Sequence, residues 1–137
     1  QYLDTVKNLT YIEYISHTDN ISKILFGSDV FVLPSYREGL SVSAMEACSV
    51  GRPLIVSNVP GLAELVINGV NGFLCTARDH SSLYKAMKKF MKIKNDVILE
   101  MGRESHSLIV DNYDCDSVYK VFKNDILKKI VSNEKSI

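Results

Sequence analysis

The chain has 137 residues, a fair size for one domain and small for two. It is 46% hydrophobic and 23% charged, as expected of a globular domain with a core. Sixteen basic residues balance sixteen acidic ones, which argues against a nucleic-acid partner because that needs a basic surface, yet leaves room for a small anionic ligand met by local donors.

Taken in chain order, short apolar runs alternate with helical patterns, as in an α/β domain with a parallel sheet. Leu9 to Ile15 is rich in β-branched and aromatic residues and predicts a strand. Ile21 to Phe26 predicts a short helix with Asp19 or Asn20 as its cap. Asp29 to Pro34 (DVFVLP) is almost wholly apolar, the pattern of a strand buried on both faces. Leu40 to Val50 predicts a helix that stops at Gly51. Pro53 to Ser57 predicts a second buried strand, and Gly61 to Ile67 a short helix. Asn68-Gly69 and Asn71-Gly72 mark turns, followed by a short strand over Gly72 to Cys75.

The remainder reads as helical. Leu83, Ala86, Met87, Phe90 and Met91 follow i, i+3, i+4, i+7, i+8 spacing and predict one apolar face. Asp96 to Val110 predicts another helix. Val118, Val121, Phe122, Ile126 and Ile130 predict a last one, capped by Asp114 or Asp116. Four strands make a thin sheet for a doubly wound fold. The expectation is therefore one part of a longer polypeptide.

Cys48, Cys75 and Cys115 lie far apart with no CxxC pair, which disfavours a disulfide framework or a metal site and suits a reducing compartment. Gln1 to Asn20 lacks the basic-then-apolar order of a signal peptide. No run approaches the roughly 18 apolar residues that a spanning helix needs. The expected location is cytoplasmic, or peripheral at the inner face of the membrane.

Ser35 to Ser41 (SYREGLS) follows a strand and opens a helix. Ligands in open α/β sheets bind beyond the carboxyl ends of the strands, and a helix tip offers N–H groups and the positive end of its dipole. Gly39 would let a ligand approach the backbone. The loop could thus cradle a phosphate, or be an ordinary βα turn in which Ser41 or Glu38 caps the helix. Glu46 is the sole charge in GLSVSAMEACSVG. A helix this apolar is expected to be buried on most faces, where a carboxylate needs hydrogen-bond donors. Two ribose hydroxyls could supply them, as could backbone N–H groups or a lysine. Glu38 and Glu46 stand eight apart, so one extended ligand could meet both. A solvent-facing Glu46, or a plugged helix tip, would defeat this sugar-donor reading.

Glu38-x7-Glu46, preceded by DVFVLPS and followed by GRPLIVSNVPGLAELVINGVNGFLC, resembles the retaining glycosyltransferases with two Rossmann-like domains, the GT-B architecture. The resemblance runs from Asp29 to Leu74, about a third of the chain, and is nearest to enzymes that build capsular, exopolysaccharide or O-antigen chains. It implies a Rossmann-like parallel sheet flanked by helices. Residues 1–137 would then be a partial, donor-binding C-terminal domain that lacks its first βα units.

Carried over residue by residue, the resemblance makes Glu38 a catalytic and donor-binding residue on the sugar hydroxyls. Gly39, Leu40 and Ser41 would hold sugar hydroxyls and the distal phosphate through their N–H groups. Glu46 would hold the ribose, and Ile15, Ser16 and His17 would lie near the nucleobase. The donor would be a nucleoside-diphosphate sugar, UDP favoured, with no further cofactor and no metal, since no Asp-x-Asp sits at a strand end. The acceptor would be a glycan or a lipid-linked sugar. The family's basic pair for the diphosphate and its histidine-bearing N-terminal domain have no counterpart here, so the chain alone is expected to be inactive. Gly-Leu-Ser after Glu38 replaces the family's frequent Gly-Phe-Gly or Gly-Phe-Pro and leaves the donor sugar open.

A sugar-nucleotide epimerase of the same architecture, and a non-catalytic sugar-nucleotide-binding fragment, are the alternatives. His17 reads as a nucleobase contact or a solvated loop histidine. His80 and His106 read as surface residues, and Glu64 as a local cap or loop-orienting acid. Lys85, Lys88, Lys89, Lys92 and Lys94 read as a solvated face or as contact with an anionic membrane.

Overall fold

The structure is a computed structural model that describes residues 9–114 and 116. It is an α/β layer whose three parallel strands, β1 (Phe31–Leu33), β2 (Leu54–Ser57) and β3 (Gly72–Cys75), lie in that order. Phe31, Val32 and Leu33 pair with Leu54, Ile55 and Val56, and residues 54–57 pair in turn with 72–75. Among the described residues the helices are α1 (Ile21–Phe26), α2 (Val42–Ser49), α3 (His80–Phe90) and α4 (Asn95–Tyr113), with a 3-10 turn at Ala63–Leu65. No helix among the described residues is long and apolar enough to cross a membrane.

Side chains alternate across the strands, and the core divides accordingly. Leu54 and Val56 join Leu25, Ala44, Ala47, Cys48, Leu62, Leu65 and Val66 on one face. Ile55 joins Phe73, Cys75, Ala86, Phe90 and Met101 on the other. Leu54, Ile55 and Val56 are at most 1% exposed, and each such burial stabilises by about 1.5–3 kcal/mol. A contact between two glycines closes the layers. A Cβ on Gly102 of α4 would collide with the carbonyl of Gly51, the residue at φ +69° that turns the chain after α2. Arg52 locks the same corner, donating from Nη1 to Ser28 O at 2.7 Å and from Nε to Val50 O at 3.2 Å.

Several expectations need correction. Leu9 to Ile15 is not a strand: it pairs with no strand of the sheet, and Tyr11 is 80% exposed. β-rich residues make a strand only where a neighbour supplies the ladder and a surface to pack on. Asp29 to Pro34 shortens to three residues that are half-buried rather than covered on both faces, because β1 lies at the sheet edge. Gly61 to Ile67 contracts to the 3-10 turn. Met87 and Met91 leave the apolar stripe of α3, which buries Ala86 and Phe90. Asn20 does cap α1, its Oδ1 accepting from Lys23 N at 3.1 Å. Asp114 follows the end of α4, and the helix expected over residues 118–130 lies outside the described residues.

Candidate functional site

Parallel strands bring all their carboxyl ends to one edge, where Pro34, Asn58 and Thr76 begin their loops. Ser35 to Leu40 leads into α2. Ser41 is its N-cap: the buried Oγ accepts from Ala44 N at 3.4 Å and shares a hydrogen bond with Ser43 Oγ at 3.2 Å. Gly39, Leu40 and Val42 are exposed, so the helix tip is open.

The loop is held from behind. Gly61, buried and at φ +82°, sits so close to Gly39 that an added Cβ would collide with the Gly39 carbonyl. Glu64 Oε1 accepts the N–H of Gly61 at 3.4 Å and anchors that turn. Glu64 thus orients the neighbouring loop rather than capping the 3-10 turn. Asn71, fully buried, fixes the following loop: its Oδ1 accepts from Ile67 N at 2.7 Å and its Nδ2 donates to Leu65 O at 2.9 Å.

Glu38 is half-buried in the loop, but Glu46 is exposed. The carboxylate is not buried, so the residue pattern around Glu46 no longer supports a sugar donor. The physical reason is that α2 is small-sided without being covered all round. It buries Ala44, Ala47 and Cys48, and it turns Val42, Ser43, Glu46 and Ser49 to solvent. What remains is an accessible acid on the outer face, about 7.5 Å along the axis from the Ser41 cap.

Glu38, Gly39, Leu40, Ser41 and Glu46 therefore belong to one loop-helix unit. Ile15, Ser16 and His17 belong to a separate exposed segment before α1, in which His17 Nε2 approaches Asp19 Oδ1 at 3.1 Å. His80 and His106 are exposed, and His106 Nδ1 donates to Ser49 O at 2.8 Å. Among the described residues no three His, Cys, Asp or Glu side chains are grouped to hold a metal.

Two cavities flank the sheet. One of about 230 Å³ opens at the carboxyl ends, lined by Tyr36, Ser57, Cys75, Arg78, Asp79 and His80 among others. A larger one of about 600 Å³ opens at the opposite edge, against Phe26, Arg52, Leu99 and Arg103. Size does not choose between them; only the first lies where α/β sheets bind ligands. Neither is lined by Glu38 to Ser41 or by Glu46.

Arg78, and its contact with Tyr36 of the SYREGLS loop, carry no local sequence signal. Arg78 adopts φ +64°, unusual for a side chain with a Cβ, and its guanidinium lies 5.2 Å from the centre of the Tyr36 ring. Its partner comes from a different strand end, so no local pattern signals it. Burial pushes the Cys48 thiol up to about 12, partly opposed by a hydrogen bond with Ser105, and burial raises Cys75 as well.

Residues 2–104 match the family model Glycosyl transferases group 1. The chain is 37% identical over 81 residues to a glycogen synthase of Mycobacterium tuberculosis, covering 59% of this chain and 19% of that protein. It is 38% identical over 96 residues to the Escherichia coli UDP-Gal:alpha-D-GlcNAc-diphosphoundecaprenol alpha-1,3-galactosyltransferase, covering 69% of this chain and 24% of that one. The fold is similar to that of a sucrose-phosphate synthase from Thermosynechococcus elongatus, with a TM-score of 0.74 at 20% identity over 96% of this chain and 32% of that one. It is likewise similar to the C-terminal domains of GT-B glycosyltransferases. The chain thus spans about a fifth to a quarter of these curated relatives, and on the match over residues 2–104 it belongs to the glycosyl transferases group 1 family.

Proposed function

We propose that this chain is the donor-binding part of a glycosyltransferase that moves a sugar from a nucleoside-diphosphate sugar to a hydroxyl of a glycan or lipid-linked acceptor, with retention at the anomeric carbon. The observation that carries the reading is the match of residues 2–104 to this family, together with the open helix tip beside Glu38; the exposed Glu46 does not carry it. The name of the Escherichia coli relative, which pairs a UDP-sugar with a diphosphoundecaprenol-linked acceptor, supports UDP as the nucleotide and a role in polysaccharide assembly.

Residues 1–137 act as part of the C-terminal domain, completed by an N-terminal domain. Glu38 accepts from hydroxyls of the donor sugar, Gly39 to Ser41 meet sugar and phosphate through N–H groups, and Glu46 accepts from the ribose. Ile15, Ser16 and His17 border the base. As the bond from the anomeric carbon to the diphosphate breaks, negative charge grows on the leaving oxygen. The helix tip stabilises that charge without reorganising. The new bond to the acceptor oxygen forms on the same face as its hydroxyl proton passes to the departing diphosphate oxygen. Buried free thiols at Cys48 and Cys75 suit a cytoplasmic location.

The test uses the full-length protein. UDP-, GDP-, ADP- and TDP-sugars are screened for thermal stabilisation, since a ligand of the native state raises the melting temperature. Glu38→Ala and Glu46→Ala are then titrated with the best donor. Each removes charge-assisted hydrogen bonds and should weaken binding about 10- to 100-fold. Unchanged affinity in both variants would overturn the donor site. NMR of the product tests retention, and conversion of the nucleotide sugar without acceptor would favour an epimerase.

A further inference from the structure

From His80 to Asn95 the chain carries Lys85, Lys88, Lys89, Lys92 and Lys94 and no acidic residue, although the whole chain is electrically balanced. All five lysines are exposed, and none has a carboxylate partner among the described residues. Beside them lie apolar side chains that the core does not use: Tyr84 is 60% exposed, Met87 42% and Met91 83%. At about 100° per residue, Tyr84 and Met87 lie on one side of α3 with Lys85, Lys88 and Lys89 continuing the same outward arc; Met91, its C-cap in helical conformation, extends the strip, and Lys92 follows in the exposed turn after the helix. Ala86 and Phe90 face the core behind it.

A merely solvated lysine face does not need flexible apolar side chains standing in water at its flank. We infer that this outer face of α3 docks on an anionic lipid surface, the lysines meeting headgroup phosphates and Met87, Met91 and Tyr84 entering the interface between headgroups and acyl chains. Charge complementarity selects an anionic partner, and the apolar strip selects lipid over nucleic acid, whose phosphate backbone would leave Met91 uncovered. Lys89 is partly occupied already, with Nζ 4.3 Å from the centre of the Phe73 ring. The inference stands apart from the donor site and does not require it.

The experiment is co-sedimentation of the full-length protein with vesicles of phosphatidylcholine alone, or with about a third phosphatidylglycerol, at low and high salt. Binding should require phosphatidylglycerol and fall with salt. The triple variant Lys85→Gln, Lys88→Gln, Lys92→Gln should lower partitioning roughly 100-fold, at about 5-fold per lysine. Met87→Ser with Met91→Ser should also lower it while keeping the salt dependence. Because these side chains face outward, donor affinity and melting temperature should not change, which separates lost docking from lost folding. Absence of binding to anionic vesicles, triple-variant binding equal to wild type, or equal binding to a DNA duplex at the same salt would each overturn the inference.

Discussion

Replacing Gly61 by alanine tests how the Ser35–Leu40 loop is held, and Gly69→Ala supplies the control. Both glycines occupy left-handed backbone, at φ +82° and φ +86°. An L side chain there costs roughly 1–2 kcal/mol. Around Gly69 nothing lies within 4 Å of an added Cβ, so its cost stops at that figure. At Gly61 the Cβ would collide with the Gly39 carbonyl and come to 3.1 Å from Leu40 N. Overpacking against backbone adds about 1–3 kcal/mol. Gly61→Ala should therefore cost about 2–5 kcal/mol in all. At about 3 °C per kcal/mol for a domain of this size, melting should fall about 3–6 °C for Gly69→Ala and about 6–15 °C for Gly61→Ala. Thermal unfolding followed by circular dichroism reads both. Donor titration supplies the second half, because the clash displaces the Gly39 to Ser41 segment in one variant and leaves it alone in the other. Equal melting shifts, or full donor affinity in folded Gly61→Ala, would refute the reasoning that Gly61 sets the position of the loop.

Two further outcomes follow from the buried polar groups. Asn71→Ala strands the carbonyl of Leu65 in a buried position and removes the acceptor of the part-buried Ile67 N–H, so urea unfolding should show a loss of about 1–3 kcal/mol. The Cys48 thiol titrates near 12 in the folded chain against an ordinary value of 9.0. A raised folded value means the unfolded chain releases its proton first as pH rises. The contribution of Cys48 is thus complete below pH 9 and lost between pH 9 and about 12. Alkylation of Cys48 at pH 8, mapped by mass spectrometry, should be slow in native protein and fast in denaturant; rapid native labelling would contradict its burial.

Much of the fold is legible locally. Asn20 before an apolar run, Ser41 before α2 and Gly51 after it are capping and stop residues whose side-chain chemistry acts within one turn. Leu54 to Ser57 is apolar enough to announce a central strand, and it is buried throughout. The loop-helix unit that bears Glu38 and Glu46 is equally visible. Several of the corrections share one cause. Leu9 to Ile15, Glu46, Met87 and Met91 were each assigned a covering neighbour that the described chain does not supply. Periodicity reports which side of an element is apolar and is silent on what stands opposite.

The amino-acid order by itself determined the α/β class, the position of β2, the loop-helix unit and the family resemblance, because propensity, capping and motif spacing act over a few residues. Tertiary structure alone decided that the sheet has three strands among the described residues, that Glu46 faces solvent and that Arg78 lies over Tyr36. It also decided that Gly61 backs the Gly39 carbonyl. These depend on contacts between segments distant in the chain, where exposure and strain are set by whichever surface arrives to pack.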